Sequence, residues 1–270
     1  MIRRLALTLA LLPLVSAAPV PRAPRIVSIN PCIDAVLMQV ADPAQIAGIS
    51  HYSQDPRATS IPLALAKRFR ATSGTAEEVV ALAPDMVITG PHVEPATLAA
   101  LKRMGIAIAQ YPVPDSVEES VAQVRDIAKV AGHAARGEAL ARRIAAAARP
   151  VAGAAVPALI WQSGGLVPGG GTLPDDLLRR AGFRNMSAVY GLKKWDVLPL
   201  EYLIARPPRV LLSTGLAEVG EDRMTSHPAV RRLARRIAVA AYPTRLMNCG
   251  GPTIIAAMAR LHQVRRGIGA

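Results

Sequence analysis

The stretch SVEESVAQVRDIAKVAGHAARGEALARRIAAAAR (residues 116–149) decides the fold, because its pattern is that of two consecutive helices. Ser116 precedes a glutamate by three positions, which is the spacing of a helix N-terminal capping box. Gly132 is typical of a helix C-terminal cap, and Pro150 stops the second helical run. A helix over residues 134–149 would be about 24 Å long, roughly the width of a small domain. We expect this helix to join two globular halves as a stiff connection.

Short β-branched runs alternate with helical segments on both sides of this stretch. The first run, residues 25–29, ends at a turn, and the same rhythm restarts with the run at residues 158–162. Such alternation is typical of parallel α/β layers. The sequence therefore predicts an α/β protein made of two Rossmann-like lobes with parallel sheets. We place the N-terminal lobe at residues 25–131, the interlobe helix at residues 134–149 and the C-terminal lobe at residues 150–270.

The first seventeen residues, 1–17, have the features of a secretory signal peptide. Arg3 and Arg4 form a basic start, residues 5–15 are apolar, and small residues follow at the cleavage site. The apolar run is too short to span a bilayer. We therefore expect an exported, periplasmic protein. Its formal net charge of +13 comes largely from dispersed arginines without interleaved aromatic residues, so we expect no nucleic-acid partner.

Two cysteines, Cys32 and Cys249, are too few for a disulfide scaffold. They lie far apart in the sequence and are expected in different lobes. Because a bridge between lobes would freeze any hinge motion, we expect two unpaired thiols, and the bridge remains the alternative. Two isolated cysteines without clustered histidines also make a poor metal site.

No motif in the sequence predicts catalysis. The glycines at residues 169–171 are not followed by the Gly-Lys-Ser/Thr of a phosphate-binding loop, and we expect them to form a flexible rim of a cleft. Ser163 lacks the nucleophile elbow of a hydrolase, and the histidines lack zinc-ligand spacing. We expect no catalytic residue, no resident metal and no cofactor, so the protein is predicted not to be an enzyme.

Ligands of open parallel sheets bind in the crevice beyond the carboxyl ends of the strands. Polar and aromatic residues near such strand ends are the candidates for ligand binding. The indole faces of the two tryptophans suit a large planar ligand, although ordinary core packing is the alternative for each of them. The candidates are Asn30, His51, Tyr52 and His92 in the first lobe and Trp161 and Trp195 in the second.

Several phrases of the sequence resemble a known family. In the first lobe they are RIVSINP (residues 25–31), GISHY (residues 48–52) and TAEEVVALAPDMVI (residues 75–88). In the second lobe the match is looser and includes DLL (residues 176–178) and LEYL (residues 200–203). These phrases are similar to those of the periplasmic binding proteins for iron-siderophores, heme and cobalamin, over nearly the whole mature chain.

The resemblance implies a solute-binding protein that holds one metal chelate between two lobes and delivers it to the permease subunits of an ABC importer. Iron or cobalt would then arrive within the ligand. It also implies that one glutamate on each lobe contacts arginines of the transporter, and the matching positions are Glu77 and Glu201. A glutamate that only complements its helix dipole is the alternative for Glu77. We expect a monomer.

Two other functions remain open at this point. One is an exported metal-dependent enzyme on the same two-lobed frame, using His51, His92 or Cys32 around a metal. The other is a sensor that presents its ligand to a membrane partner other than an importer.

Overall fold

A computed structural model of the protein describes residues 22–214 and 228–268. The first part of the chain contains the strands β1 (Ile26–Ser28), β2 (Ile46–Ser50), β3 (Ala71–Thr72), β4 (Met86–Thr89) and β5 (Ala107–Gln110). They form one parallel sheet in the order β3-β2-β1-β4-β5. The connecting helices are α1 (Pro31–Val40), α2 (Leu63–Ala66), α3 (Ala76–Ala81) and α4 (Pro95–Arg103). Parallel neighbours need such crossover connections, so the predicted alternation of strands and helices has a direct geometric cause.

Two helices follow, α5 (Val117–Val130) and α6 (Ala134–Ala147). Ser116 caps α5, since its hydroxyl accepts a hydrogen bond from the Glu119 amide at 3.1 Å. Gly132 has a φ of 84°, and the amides of Gly132 and His133 donate to the carbonyls of Lys129 and Ala128. This is the hydrogen-bond pattern of a Schellman C-cap, as the glycine predicted. The helix α6 ends two residues earlier than predicted and is about 21 Å long.

The second part of the chain contains the strands β6 (Val156–Trp161), β7 (Leu166–Pro168), β8 (Phe183–Asn185), β9 (Trp195–Val197), β10 (Val210–Ser213) and β11 (Ala238–Ala241). Four of them form a parallel sheet in the order β11-β10-β6-β8, and β7 and β9 form an antiparallel ribbon. The helices are α7 (Leu173–Arg180), α8 (Met186–Val189), α9 (Leu200–Ala205), α10 (Pro228–Ala234) and α11 (Thr253–Ile268).

The two sheets are built alike. In each sheet, the first strand of the half (β1 or β6) has the next strand of that sheet (β2 or β8) on one side. The last two strands (β4 and β5, or β10 and β11) lie on its other side. By this order β1 corresponds to β6, β2 to β8, β4 to β10 and β5 to β11. The structure therefore confirms the predicted fold class of two Rossmann-like α/β lobes with parallel sheets.

The helices α5 and α6 lie between the two sheets in the sequence and pack against each other. On one side α1 contacts both of them, and on the other α11 contacts α6 and α7. One apolar cluster runs through all these elements, from Ile26 in β1 through Ile144 in α6 to Leu212 in β10. The helix α6, predicted as the interlobe helix, is therefore packed on several sides by α1, α5 and α11.

Gly137 makes the close packing of α5 and α6 possible. A Cβ atom at this position would lie 2.3 Å from the Cβ of Ala128, which is closer than two carbon atoms can approach. Only a residue without a side chain fits there.

The predicted signal peptide at residues 1–17 lies outside the described residues. Within residues 22–214 and 228–268, no helix combines the length and the apolar character needed to cross a bilayer.

Candidate ligand-binding site

A cavity of about 260 Å³ lies between the two halves. From the first half it is lined by the segments that follow β1 and β4 and by residues 111–114 after β5. From the second half it is lined by the start of α7, by Trp195 and by residues 247–251 before α11. Because the carboxyl ends of parallel strands meet at one edge of a sheet, the first-half segments converge on this crevice.

Asn30 lies in the cavity wall and also holds α1 in place. Its Oδ1 accepts hydrogen bonds from the amides of Cys32 at 2.9 Å and Ile33 at 3.2 Å, which is N-capping geometry. A Cβ atom on Gly90 would lie 2.4 Å from Nδ2 of Asn30, so the turn after β4 can approach only because it carries glycine. The prediction that Asn30 lies in the crevice agrees with this position.

Tyr111 and Gln123 form another part of the wall. The Tyr111 hydroxyl donates to Oδ2 of Asp126 at 2.7 Å, and Nε2 of Gln123 donates to the Pro112 carbonyl at 2.9 Å. Burial raises the pKa of the Tyr111 phenol, and the hydrogen bond to the Asp126 carboxylate raises it further. The phenol is therefore neutral at physiological pH.

Cys32 and Cys249 both line the cavity and form a disulfide across the two halves. The expectation of two free thiols is wrong. Cys32 lies in the first turn of α1, and Cys249 lies in the segment that leads into α11. Their Cα atoms are 5.0 Å apart, within the range that a disulfide spans. The cysteines do lie in different halves, where a bridge was expected to freeze a hinge, but they meet beside α1 and α11, which both pack against α6.

Trp195 lies at the start of β9 and is 40% exposed at the edge of the cavity. The neighbouring Lys194 donates to the carboxylate of Asp115, which precedes α5, and to the Gly171 carbonyl at 2.9 Å. The glycines at residues 169–171, predicted to form a flexible rim, directly follow strand β7, which pairs with β9. The glycines serve this pairing, because a Cβ atom on Gly169 would lie 2.5 Å from the Leu192 carbonyl oxygen.

A sequence model of the periplasmic binding proteins matches residues 26–235. The chain belongs to the periplasmic binding protein family. Members of this family are periplasmic and work with ABC importers. None of the curated proteins compared with this binding protein matches it.

Solved structures similar to this binding protein have the same fold. The periplasmic heme-binding protein BhuT in complex with two hemes is 22% identical, with a TM-score of 0.74 over 92% of this chain and 99% of that chain. The heme-binding protein RhuT from Roseiflexus sp. RS-1, in its apo form, is 25% identical, with a TM-score of 0.69 over 90% and 99%. The vitamin B12 binding protein BtuF of Vibrio cholerae is 16% identical, with a TM-score of 0.68 over 92% and 98%.

Four of the six predicted ligand-binding residues of the binding protein lie away from the lining of the cavity: the exposed His51, Tyr52 and His92, and the buried Trp161. His51 and Tyr52 occupy a 3₁₀ turn directly after β2, where their rings stack at 4.0 Å and both side chains are exposed. Nδ1 of His51 lies 3.2 Å from the Thr72 carbonyl. His92 is exposed next to Pro91, which does line the cavity. The cavity is lined by the segments that follow β1, β4 and β5, whereas β2 lies on the opposite side of β1 from β4 and β5, so its turn lies away from the lining.

Trp161 is a core residue. It ends β6, is 1% exposed and packs in a cluster with Tyr190 and Leu203. The prediction that its indole faces the crevice is wrong. The alternative of ordinary core packing is correct for Trp161. The strand end is at the expected edge of the sheet, but the side chain points to the face that α8 and α9 cover.

A buried carboxylate supports the turn that carries His51 and Tyr52. Oδ2 of Asp34 accepts hydrogen bonds from the Ser53 hydroxyl at 2.6 Å and from the Ser50 amide at 3.0 Å. Asp34 is fully buried, and this burial raises its pKa to about 7, although hydrogen bonds from Ser28, Ser53 and Ser50 oppose the shift. The turn is thus tied to α1 through a group that titrates near neutral pH.

The two predicted docking glutamates occupy equivalent exposed positions. Glu77 is the second residue of α3, which leads into β4, and Glu201 is the second residue of α9, which leads into β10. Since β4 and β10 correspond in the two sheets, each half presents one carboxylate at the same place.

Sequence reasoning missed several residues that line the cavity, among them Tyr111 and the segment 247–251. Tyr111 directly follows β5, so the rule that selected Asn30 would have selected it as well. The segment 247–251 follows no predicted strand end, and only the tertiary packing of its glycines brings it there. The amide of Gly251 donates to the Ser120 hydroxyl of α5 at 2.7 Å.

Proposed function

We propose that the protein captures a metal chelate in the cavity between its lobes and delivers it to the permease of an ABC importer. The observation that carries this proposal is that both halves line one cavity, with an exposed tryptophan at its edge. Residues 25–131 and residues 150–270 act as the two lobes, with residues 134–149 between them. The protein does no chemistry on its cargo. It works as a monomer without a resident cofactor, and its segment 1–17 directs it to the periplasm.

The cargo would be an iron-siderophore, a cobalamin or other corrinoid, or a heme. Support comes from the family and from the binding proteins of similar fold, which include heme and vitamin B12 binders. Trp195 offers an aromatic face to such a ligand.

Intrinsic fluorescence tests the proposal, because the two tryptophans lie in different environments. In the variant Trp161→Phe, the remaining Trp195 reports on the cavity, and a chelate that binds there should quench its emission. The variant Trp195→Phe is the matched control, since Trp161 is buried away from the cavity and should respond weakly. The proposal fails if ferric siderophores, cobalamin and heme all leave the emission of the Trp161→Phe variant unchanged and release no heat in calorimetry.

Glu77 and Glu201 are proposed to anchor the lobes to arginines of the permease. Two exposed carboxylates at equivalent positions would give one charge-assisted contact per lobe. The double variant Glu77→Arg/Glu201→Arg should abolish transport while cargo affinity is retained. Glu94→Arg, a charge reversal at another exposed position of the first lobe, is the control and should transport normally. Loss of cargo affinity in the double variant would show that these residues are misassigned.

The alternative of a metal-dependent enzyme lacks support from the described residues. Cys32 is bonded to Cys249, so its thiolate is not available to a metal. In residues 22–214 and 228–268, no three His, Cys, Asp or Glu side chains lie together as a metal site would require. No observation favours the sensor over the importer.

A further inference from the structure

The cavity is lined by neutral side chains in a strongly basic protein. The chain has 32 Lys and Arg and 19 Asp and Glu, yet none of these lines the cavity among the described residues, and no histidine does. The polar lining consists of amide, phenol and indole groups. An ion that is buried without a partner loses its hydration and gains little in return, so a charged group is disfavoured there.

Within residues 22–214 and 228–268, the lining also lacks a strong ligand for an open metal site. Tyr111 is the one side chain of this described lining that titrates, since Cys32 and Cys249 are bonded to each other. The Tyr111 phenol donates its proton to Asp126, and burial keeps it protonated, so it offers no phenolate. Met247 adds a thioether, which suits soft metals and is a weak ligand for ferric iron. The described lining therefore favours a metal that arrives with its coordination sphere filled.

The charges at the edge of the cavity are paired across it. Lys194, next to Trp195, donates to Asp115 on the opposite side and to the Gly171 carbonyl. Neither charge is left to neutralise an ionic cargo. The edge itself is apolar and open, with Val113 58% exposed and Trp195 40% exposed.

The size of the cavity and its polar groups indicate what kind of ligand edge the cavity can enclose. The volume of about 260 Å³ is below the usual range of about 300–1,000 Å³ for small-molecule sites, so a large chelate would extend past Val113 and Trp195. Oδ1 of Asn30 is occupied by backbone amides, which leaves its NH₂ group as a donor. Asn248 adds a second amide. Such groups pair with amide or hydroxyl groups of a ligand.

We propose that the cargo is an uncharged, coordinatively saturated metal chelate whose enclosed edge bears amide or hydroxyl groups. This inference rests on the proposed function and narrows the cargo within it. Iron chelates with free carboxylates, net anionic chelates and macrocycles with open axial positions are the classes that the described lining disfavours.

Calorimetric titration of the wild-type protein with four probes tests the inference. Cyanocobalamin and ferrichrome are uncharged and six-coordinate, ferric enterobactin is anionic, and heme carries two carboxylates and open axial positions. At least one uncharged probe should bind about tenfold or more tighter than either charged probe, which corresponds to about 1.4 kcal/mol. If a charged probe binds as tightly or tighter, the inference is overturned and the binding function stands. If no probe binds, both the inference and the proposed binding function are refuted.

Two variants at Asn248 separate the effect of a charge in the lining from the effect of a longer side chain. Asn248→Arg places a cation on an exposed side chain of the lining and should raise the affinity for ferric enterobactin by about tenfold. Asn248→Gln, of similar polarity, should give no gain, and equal affinities of the two variants for this probe would overturn the inference. A spectrum of phenolate-ligated iron on adding heme to the wild type, lost in Tyr111→Phe, would overturn it as well.

Discussion

Reduction of the disulfide between Cys32 and Cys249 should strongly destabilise the protein. The bond joins residues that are 217 positions apart. In the chain-entropy model, closing a loop of this size lowers the entropy of the unfolded chain by about 18 cal/mol/K, which is about 5 kcal/mol at 25 °C. With an unfolding entropy of about 2.1 cal/mol/K per residue, the melting temperature should fall by about 10 °C.

Thermal unfolding followed by circular dichroism, with and without dithiothreitol, measures this effect. The reduced wild type should melt near the Cys32→Ser/Cys249→Ser variant, and the variant should not respond to dithiothreitol. Thiol titration before and after reduction establishes which form is present. Equal melting temperatures for the oxidised and fully reduced wild type would refute the loop-closure reasoning, and two titratable thiols in the untreated periplasmic protein would refute the bond itself.

Two further predictions concern buried positions. The folded-state pKa of Asp34, about 7, is above its unfolded value of 3.8, so the folded protein binds more protons between these values and its stability falls as pH rises through this window. The loss over the whole window is about 4 kcal/mol at 1.36 kcal/mol per pH unit, and about 3 kcal/mol of it falls between pH 5 and pH 8. Urea unfolding at these two pH values should show a fall in the free energy of unfolding of about 3 kcal/mol in the wild type and a much smaller one in Asp34→Asn, and equal falls in the two proteins would contradict the assignment. Gly137→Ala should cost about 1–3 kcal/mol because its Cβ atom would overlap that of Ala128 in α5. Gly267→Ala in α11, where an added Cβ atom meets nothing, is the control and should stabilise by up to about 1 kcal/mol; similar losses in both variants would exclude the contact as the cause.

The features of the fold that the sequence predicted are those with local causes. The cap of α5 by Ser116 and its end at Gly132 depend on hydrogen bonds within a few residues, and both appear in the structure. The alternation of strands and helices has the same local character. The family resemblance supported the same fold and led to the correct family.

The site was harder to predict because side-chain direction is set by tertiary packing. Asn30 and Trp195 line the cavity, whereas Trp161 ends its strand at the right edge of the sheet but faces the core. Successive side chains of a strand point to opposite faces of the sheet, and a shift of one residue exchanges these faces. Knowing roughly where β6 ends therefore does not decide which face its last side chain points to. His51 and Tyr52 follow a strand end as expected, yet their strand lies on the opposite side of β1 from β4 and β5, whose following segments line the cavity.

The position of the disulfide explains why it is compatible with a two-lobed binding protein. Cys32 begins α1 and Cys249 precedes α11, and both helices pack against α6, the helix between the lobes. The bond thus joins elements that already share a core around α6. At the edge of the cavity one contact between the halves is an exposed ion pair of Lys194 and Asp115, and such pairs contribute only about 0–1 kcal/mol. The covalent link between the halves therefore lies beside α6, and the weak Lys194–Asp115 link lies at the edge where Trp195 is exposed.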